Sequence, residues 1–299
     1  MEEHIMKNTV FKGAATAIIT PFKNGEIDYE SFGRLIDWQI EEGIAAIVAV
    51  GTTGEGSTLT DQEHKDAIKF CVEKVAGRVP VIAGTGSNDI TYAIELTKYS
   101  CEVGADAMLL VTPYYNKATQ KGLVASFKAI ADASTKPCIL YNVPSRTGCN
   151  LLPATVLELS EHPNIVGIKE ASGNISQIAE LCALVGDKID VYSGNDDQIV
   201  PVLSLGGVGV ISVLSNLMPA ATQKMCDDYM SGNVDDARRS QLSLLPLINA
   251  LFCEVNPIPV KAAMAAMGYC ENSLRLPLTV MEEAHEKTLL ALMKEQGLI

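Results

Sequence analysis

The chain has 299 residues, 47% hydrophobic and 20% charged, a balance that allows a large buried core and excludes a disordered or collagen-like chain. Its formal net charge of −13 repels phosphate backbones and anionic headgroups on average, so neither nucleic acid nor a membrane surface is expected as a partner. Eight cysteines and four histidines are scattered without a CxxC pair or zinc spacing, and read as buried free thiols of a reducing cytosol with no metal site.

The N-terminal stretch MEEHIMKN lacks the basic and apolar regions of a signal peptide. Residues 198–223 carry no charge and are long enough to cross a bilayer. They also hold Gly206, Gly207, Gly209, Ser212, Ser215, Asn216 and Pro219, which suit a buried strand with its turns better than a lipid-facing helix. A soluble, cytoplasmic protein is expected.

Short runs rich in Val, Ile and Ala fall at 15–20, 45–50, 79–84, 107–111, 138–141, 166–169, 190–193 and 208–212. They recur about every 20 to 35 residues, the length of a strand with its crossover helix. Most lack strict alternation, as strands covered on both faces do. Thr60-Asp61-Gln62-Glu63 predicts a helix start running to Ala76, with Gly77 as its stop. Asn88 predicts another, closing near Gly104, and Pro153 marks the first turn of a third. After about residue 219 the chain reads as helices, broken at Asn256-Pro257-Ile258-Pro259 and Leu276-Pro277. Eight strand–helix units predict an α/β protein, a (β/α)8 TIM barrel over 1–230 with a C-terminal helical extension over 231–299. An open doubly wound sheet would want a Gly-rich fingerprint after the first strand, where Thr20-Pro21-Phe22 stands instead.

In such a barrel the chemistry gathers at the C-terminal ends of the strands. Those ends read Thr52-Thr53, Thr85, Tyr114-Tyr115, Tyr141, Lys169, Gly194-Asn195 and Ser212: hydroxyls and one amine, without paired carboxylates or metal ligands. That set points away from hydrolase, glycosidase and metal chemistry and toward carbonyl chemistry through an amine. Lys169 closes the apolar run 164–169, where desolvation disfavours an ammonium and exposes a nucleophile. A second reading puts Lys169 just past the strand, in solvent or paired with Glu170. Tyr141, at the preceding strand end, favours the first reading, because Schiff-base formation needs a nearby proton donor and acceptor. Gly51-Thr52-Thr53-Gly54-Glu55-Gly56 offers backbone N–H groups and two hydroxyls to a small carboxylate, though glycine-rich loops after barrel strands also arise for steric reasons. Arg146, on the proline-braced loop 141–148, can grip a carboxylate with two parallel hydrogen bonds; the plainer reading is an exposed loop arginine. Tyr114 and Tyr115 also read as core or interface aromatics.

GTTGE at 51–55, TPYYN at 112–116, YNVPSRTG at 141–148, GIKEASG at 167–173 and SGND at 193–196 together resemble the dihydrodipicolinate synthase family. The resemblance runs in order from about Phe11 to the C-terminus, with Asn256–Lys261 and Leu274-Arg275-Leu276-Pro277 adding to it. It implies a cofactor-free condensation of pyruvate with aspartate semialdehyde. It makes Lys169 the Schiff-base lysine, Tyr141 a proton relay through Thr52 to Tyr115, Thr53 a pyruvate-carboxylate ligand and Arg146 the binder of the aldehyde's carboxylate. Gly194 and Ile211 match backbone positions lining the pocket. Tyr115 is implied to act in a neighbouring subunit, hence a homo-oligomer, expected as a homotetramer of two dimers. In lysine-inhibited members a regulatory pocket lies at positions that here read Gly56, Ser57, Asp61, His64, Asn88, Tyr92 and Tyr114. Tyr92 replaces a glutamate that faces the ligand's α-ammonium, and Asp61 stands where the plainest examples have histidine, a nearby charge in partial compensation. The alternative within the superfamily is an N-acetylneuraminate lyase or keto-acid aldolase, which Arg146 and Thr52 disfavour. A non-catalytic binding protein on this scaffold would have lost members of the lysine–tyrosine–threonine set, and none is missing.

Overall fold

The computed structural model describes residues 7–299, so most of the N-terminal stretch read for a signal lies outside the described residues. The chain runs through β1 (Gly13–Ala17), a small antiparallel hairpin of β2 (Phe22–Lys23) and β3 (Glu26–Ile27), and α1 (Tyr29–Glu41). Strand and helix then alternate: β4 (Ala46–Ala49), α2 (Asp61–Val75), β5 (Val81–Gly84), α3 (Ile90–Glu102), β6 (Ala107–Val111), α4 (Gln120–Ala133) and β7 (Cys138–Asn142). The one-turn α5 (Pro144–Thr147) precedes α6 (Pro153–Leu159), β8 (Ile165–Glu170), α7 (Ile175–Val185), β9 (Asp190–Ser193), α8 (Ile199–Ser204), β10 (Gly209–Ser212) and α9 (Pro219–Met230). Three further helices follow, α10 (Val234–Ala250), α11 (Ile258–Ala266) and α12 (Glu283–Glu295).

The strands other than the hairpin are parallel and close in the order β1-β10-β9-β8-β7-β6-β5-β4, a TIM barrel. Their apolar runs are buried on both faces because two separate cores meet across the sheet. An outer core packs strand residues such as Ile47 and Leu140 against helix residues such as Phe32, Ile68 and Phe127. An inner core fills the barrel with alanines from β1 and β4 set against Ile139, Tyr192 and Ile211. Small residues on β1 and β4 leave room for larger ones from the other strands, so the barrel is filled and not a pore. Phe11, just before β1, stacks on the Tyr192 ring at 4.3 Å, and the Tyr192 hydroxyl donates to the Phe11 carbonyl at 2.9 Å. This plug closes the barrel floor and leaves the opposite end for chemistry.

The strand at 107–111 and the one at 190–193 coincide with the expected runs, and Pro153 opens α6 as expected. Thr60 caps α2 in a reciprocal box with Glu63, and the helix ends at Ala76 in the left-handed region. The first strand differs: it covers Gly13–Ala17, and 18–20 are already beyond it. The start expected at Asn88 is also displaced, since the Asp89 side chain caps α3 by accepting from Thr91 and Tyr92 N–H. Asn88 is drawn away because its amide donates to the Tyr114 carbonyl at 3.2 Å. All eight cysteines are free thiols, but only Cys71, Cys138, Cys149 and Cys226 are buried, and Cys253 is exposed. Among the described residues no helix is long and apolar enough to cross a membrane, and 198–223 forms α8, β10 and the start of α9.

Candidate active site at the C-terminal mouth of the barrel

Lys169 sits one residue from the end of β8, in register with Tyr141 on β7 and Tyr192 on β9. It is only 6% exposed, and its ammonium nitrogen lies 4.3 Å from the centre of the Tyr141 ring. Glu170 points to the other face of the strand, as the next residue of a strand must. There its carboxylate accepts from the Asn142 amide at 3.0 Å and the Ser172 N–H at 2.7 Å, and burial pushes its carboxyl above the usual range. Of the two readings of Lys169, the buried one stands, and Glu170 is not its partner. Glycine at 194 is required beside it: a Cβ there would come within 2.7 Å of the Ala171 Cβ and 3.1 Å of the Lys169 Cε.

Two cavities open around this lysine, and both are lined by Thr52, Thr53, Tyr141, Val143, Arg146 and Lys169. The first, of about 560 Å³, extends from Lys169 to Ser57, Asp61, His64, Tyr92 and Tyr114. The second opens onto Gly194, Asn195 and the segment 252–256. Thr52 and Thr53 are carried by a strained loop. Val50, the residue before it, has φ 55°, an outlier for a β-branched side chain. Its carbonyl is packed so closely that a Cβ on Gly84 would meet it at 2.5 Å and one on Gly56 at 2.7 Å. The loop N–H groups expected to bind an anion are partly spent. Those of Gly54 and Gly56 donate to the Gly51 carbonyl, and that of Glu55 to the Thr52 carbonyl. The N–H groups of Thr52 and Thr53 make no such bond among the described residues, so with the two hydroxyls they are what the loop offers to a ligand.

Arg146 lies in a helical turn begun by Pro144, not in an irregular loop, and its guanidinium donates to the Asn256 carbonyl at 3.1 Å. Ile211, expected as a backbone position, is absent from the lining of both cavities; it lies inside β10, fully buried and paired with Ala15. Tyr115 projects from its own chain, 90% exposed at φ 70°, and does not line these cavities. Asn88 does not line them either; it braces the Tyr114 loop. His64 is buried, its ring nitrogen 2.9 Å from the Gly84 carbonyl, and desolvation holds its pKa below the usual histidine value.

Four charged residues that shape the site lie within the sequence motifs, which assigned them no role. Glu55 and Lys261 form an ion pair with both side chains fully buried. Burial lowers the Lys261 pKa against the pull of Glu55, and its ammonium also lies 3.9 Å from the centre of the Phe22 ring. Arg275 holds Glu63 with two hydrogen bonds of 2.8 and 2.6 Å. Asp196, just past β9, is buried and accepts from the N–H groups of Val213 and Leu214, which follow β10, at 3.0 and 2.9 Å. Their signals in the sequence were membership of those motifs and, for Glu55 and Lys261, a charge inside a glycine-rich or apolar run.

Residues 10–296 match the model of the dihydrodipicolinate synthetase family. The 4-hydroxy-tetrahydrodipicolinate synthase of Thermoanaerobacter sp. (strain X514) is 54% identical, over 97% of this chain and 98% of its own. A chloride-inhibited dihydrodipicolinate synthase from Acinetobacter baumannii, solved with pyruvate, superposes with a TM-score of 0.95 at 46% identity, over 97% of this chain and 100% of its own. The enzyme from Cyanidioschyzon merolae, solved with lysine bound, gives 0.94 at 42% identity, over 98% of this chain and 100% of its own. A filled barrel with one buried lysine beside a tyrosine at its mouth, matched along nearly its whole length, places this chain in the dihydrodipicolinate synthetase family.

Proposed function

We propose that this chain is a 4-hydroxy-tetrahydrodipicolinate synthase, a lyase of lysine and diaminopimelate biosynthesis that condenses pyruvate with L-aspartate 4-semialdehyde. The observation that carries the reading is Lys169, buried at a strand end with its nitrogen over the Tyr141 ring, in cavities that also hold Thr52, Thr53 and Arg146. The Lys169 amine adds to the pyruvate ketone carbon, and the carbinolamine loses water as Tyr141 supplies a proton to the leaving oxygen. The resulting iminium draws electrons from the methyl carbon, which gives up a proton and becomes the nucleophilic enamine. Its attack on the aldehyde carbon forms the new C–C bond, with the alkoxide taking a proton from the same relay. The product's own amine then displaces Lys169 and closes the ring. The Thr53 hydroxyl holds the pyruvate carboxylate, Arg146 the aldehyde's carboxylate, and Thr52 links Tyr141 to Tyr115 of a second copy of the chain. Gly194 leaves room for the Lys169 side chain to lie flat. No cofactor enters these steps, and the enzyme works in the cytoplasm as a homotetramer built from two dimers.

Arg146 separates this reading from a neuraminate lyase or another keto-acid aldolase. A neutral or sugar-like acceptor needs no guanidinium at the mouth, whereas a carboxylated aldehyde is held by one. Arg146→Ala should still form the pyruvate adduct while its KM for the semialdehyde climbs, by an amount equivalent to about 2–4 kcal/mol. Steady-state kinetics with the semialdehyde varied decide it: an unchanged KM removes Arg146 from the acceptor site, and cleavage of N-acetylneuraminate by the wild type would favour the lyase.

A further inference from the structure

We propose that the segment between α10 and α11 is a wall of the pyruvate site, and that Asn256 is a positioning residue that aims the Thr53 hydroxyl at the pyruvate carboxylate. The inference rests on the reading of Thr53 as a carboxylate ligand and extends it to a residue that need not touch substrate. Asn256 is 6% exposed and joins the two groups assigned to the two substrates. Its side-chain amide donates to the Thr53 hydroxyl oxygen at 3.0 Å, and its backbone carbonyl accepts from Arg146 at 3.1 Å.

The direction of the first bond matters. A threonine oxygen that accepts from an amide keeps its own O–H free to donate. Among the described residues the Thr53 side chain has no other hydrogen bond, so that O–H is available to an anion in the cavity that Thr53, Lys169 and Asn256 all line. A carboxylate bound there gains a donor already turned toward it. The neighbourhood is built to keep this contact rigid. Segment 53–55 is clasped at both ends by segment 256–261: Asn256 holds Thr53, and two residues on, Glu55 is paired with Lys261. The Arg275 N–H adds a third tie, donating to Glu55 at 3.1 Å. Helices that follow the barrel therefore reach back and fix the loop after β4.

Pyruvate titrations of the borohydride-trapped Lys169 adduct, alongside KM values for both substrates, test this. Asn256→Ala should raise the pyruvate concentration for half-maximal trapping about tenfold, the loss of one oriented hydrogen bond. The semialdehyde KM should stay within about twofold, because the backbone carbonyl that holds Arg146 remains. Asn256→Asp, of the same shape, should do worse than alanine: a carboxylate takes the Thr53 O–H for itself and repels the substrate. In a Thr53→Val background, Asn256→Ala should add nothing, since contacts acting through one group are not additive. Half-saturation by pyruvate unchanged in Asn256→Ala, equal rises in both KM values, or additive losses in the double variant would overturn the proposal. If alanine does not fold, Asn256→Ser decides instead: it is neutral and too short to reach Thr53, and a merely structural asparagine would leave its pyruvate half-saturation at the wild-type value. No adduct in the wild type would instead defeat the Schiff-base reading on which this stands.

Discussion

Around Tyr92 the charges are already matched within the chain. Its hydroxyl faces the Asp61 carboxylate, which also takes the Lys65 ammonium at 2.7 Å, and the phenol is pushed up to about 12 by burial and by Asp61. The carboxylate that the sequence offered as partial compensation is thus engaged, and His64 beside it is disfavoured as a cation by burial. An amino acid lodged here would bring a desolvated ammonium without an unpaired carboxylate to meet it, a loss of roughly 2–5 kcal/mol. We expect lysine to inhibit weakly or not at all, and Tyr92→Glu to strengthen inhibition. Titrating lysine into the steady-state assay checks this; half-inhibition of the wild type below about 1 mM contradicts it. Lys169 and Tyr141 could be singled out in the sequence because each ends an apolar run, where a polar group is conspicuous. The roles of Asn256 and Glu55, though both stand in quoted motifs, could not be read, since they depend on contacts between residues about two hundred positions apart, which no local pattern encodes.

Arg275 shows how one side chain fastens several elements. It grips Glu63 in the first turn of α2, donates to the Gly25 carbonyl of the β2–β3 hairpin at 2.7 Å, and its guanidinium carbon lies 4.5 Å from the centre of the Phe22 ring. The Glu63 carboxyl is held down to about 2, chiefly by the Arg275 hydrogen bonds, against an ordinary value of 4.5. A carboxyl depressed in the folded state stabilises above its unfolded pKa and loses that stabilisation on acidification. The contribution of Glu63 is therefore complete above pH 4.5 and vanishes as pH falls through about 2. Denaturant midpoints of wild type and Glu63→Gln should differ at neutral pH and converge across that window; a gap independent of pH would show that the pair contributes no charge-dependent stability. The capping box of α2 was legible because Thr60 and Glu63 are local partners. The cap of α3 was misplaced by one residue, because a tertiary bond to the Tyr114 carbonyl outcompeted the local preference of Asn88.

At the scale of the molecule, the barrel was readable because eight apolar runs at a regular spacing leave few ways to cover both faces of a sheet. The work done by the helices after residue 230 was not, since composition alone marks them only as helical. Tyr115 extends the same point beyond one chain: a tyrosine 90% exposed at the rim suits a site completed by a neighbour. Mixing Tyr115→Phe with Lys169→Ala protein, each nearly inactive, should restore activity after subunits exchange, because a hybrid dimer holds one site with both groups intact. No recovery despite demonstrated hybrids would rule out a shared site. The covalent step is tested most directly by treating the protein with pyruvate and borohydride and locating the added mass by peptide mass spectrometry. A single reduced pyruvyl group on Lys169, with activity lost in step and no labelling in Lys169→Ala, is the expected result; labelling at Lys117 or Lys261 instead, or turnover surviving in Lys169→Ala, would contradict it.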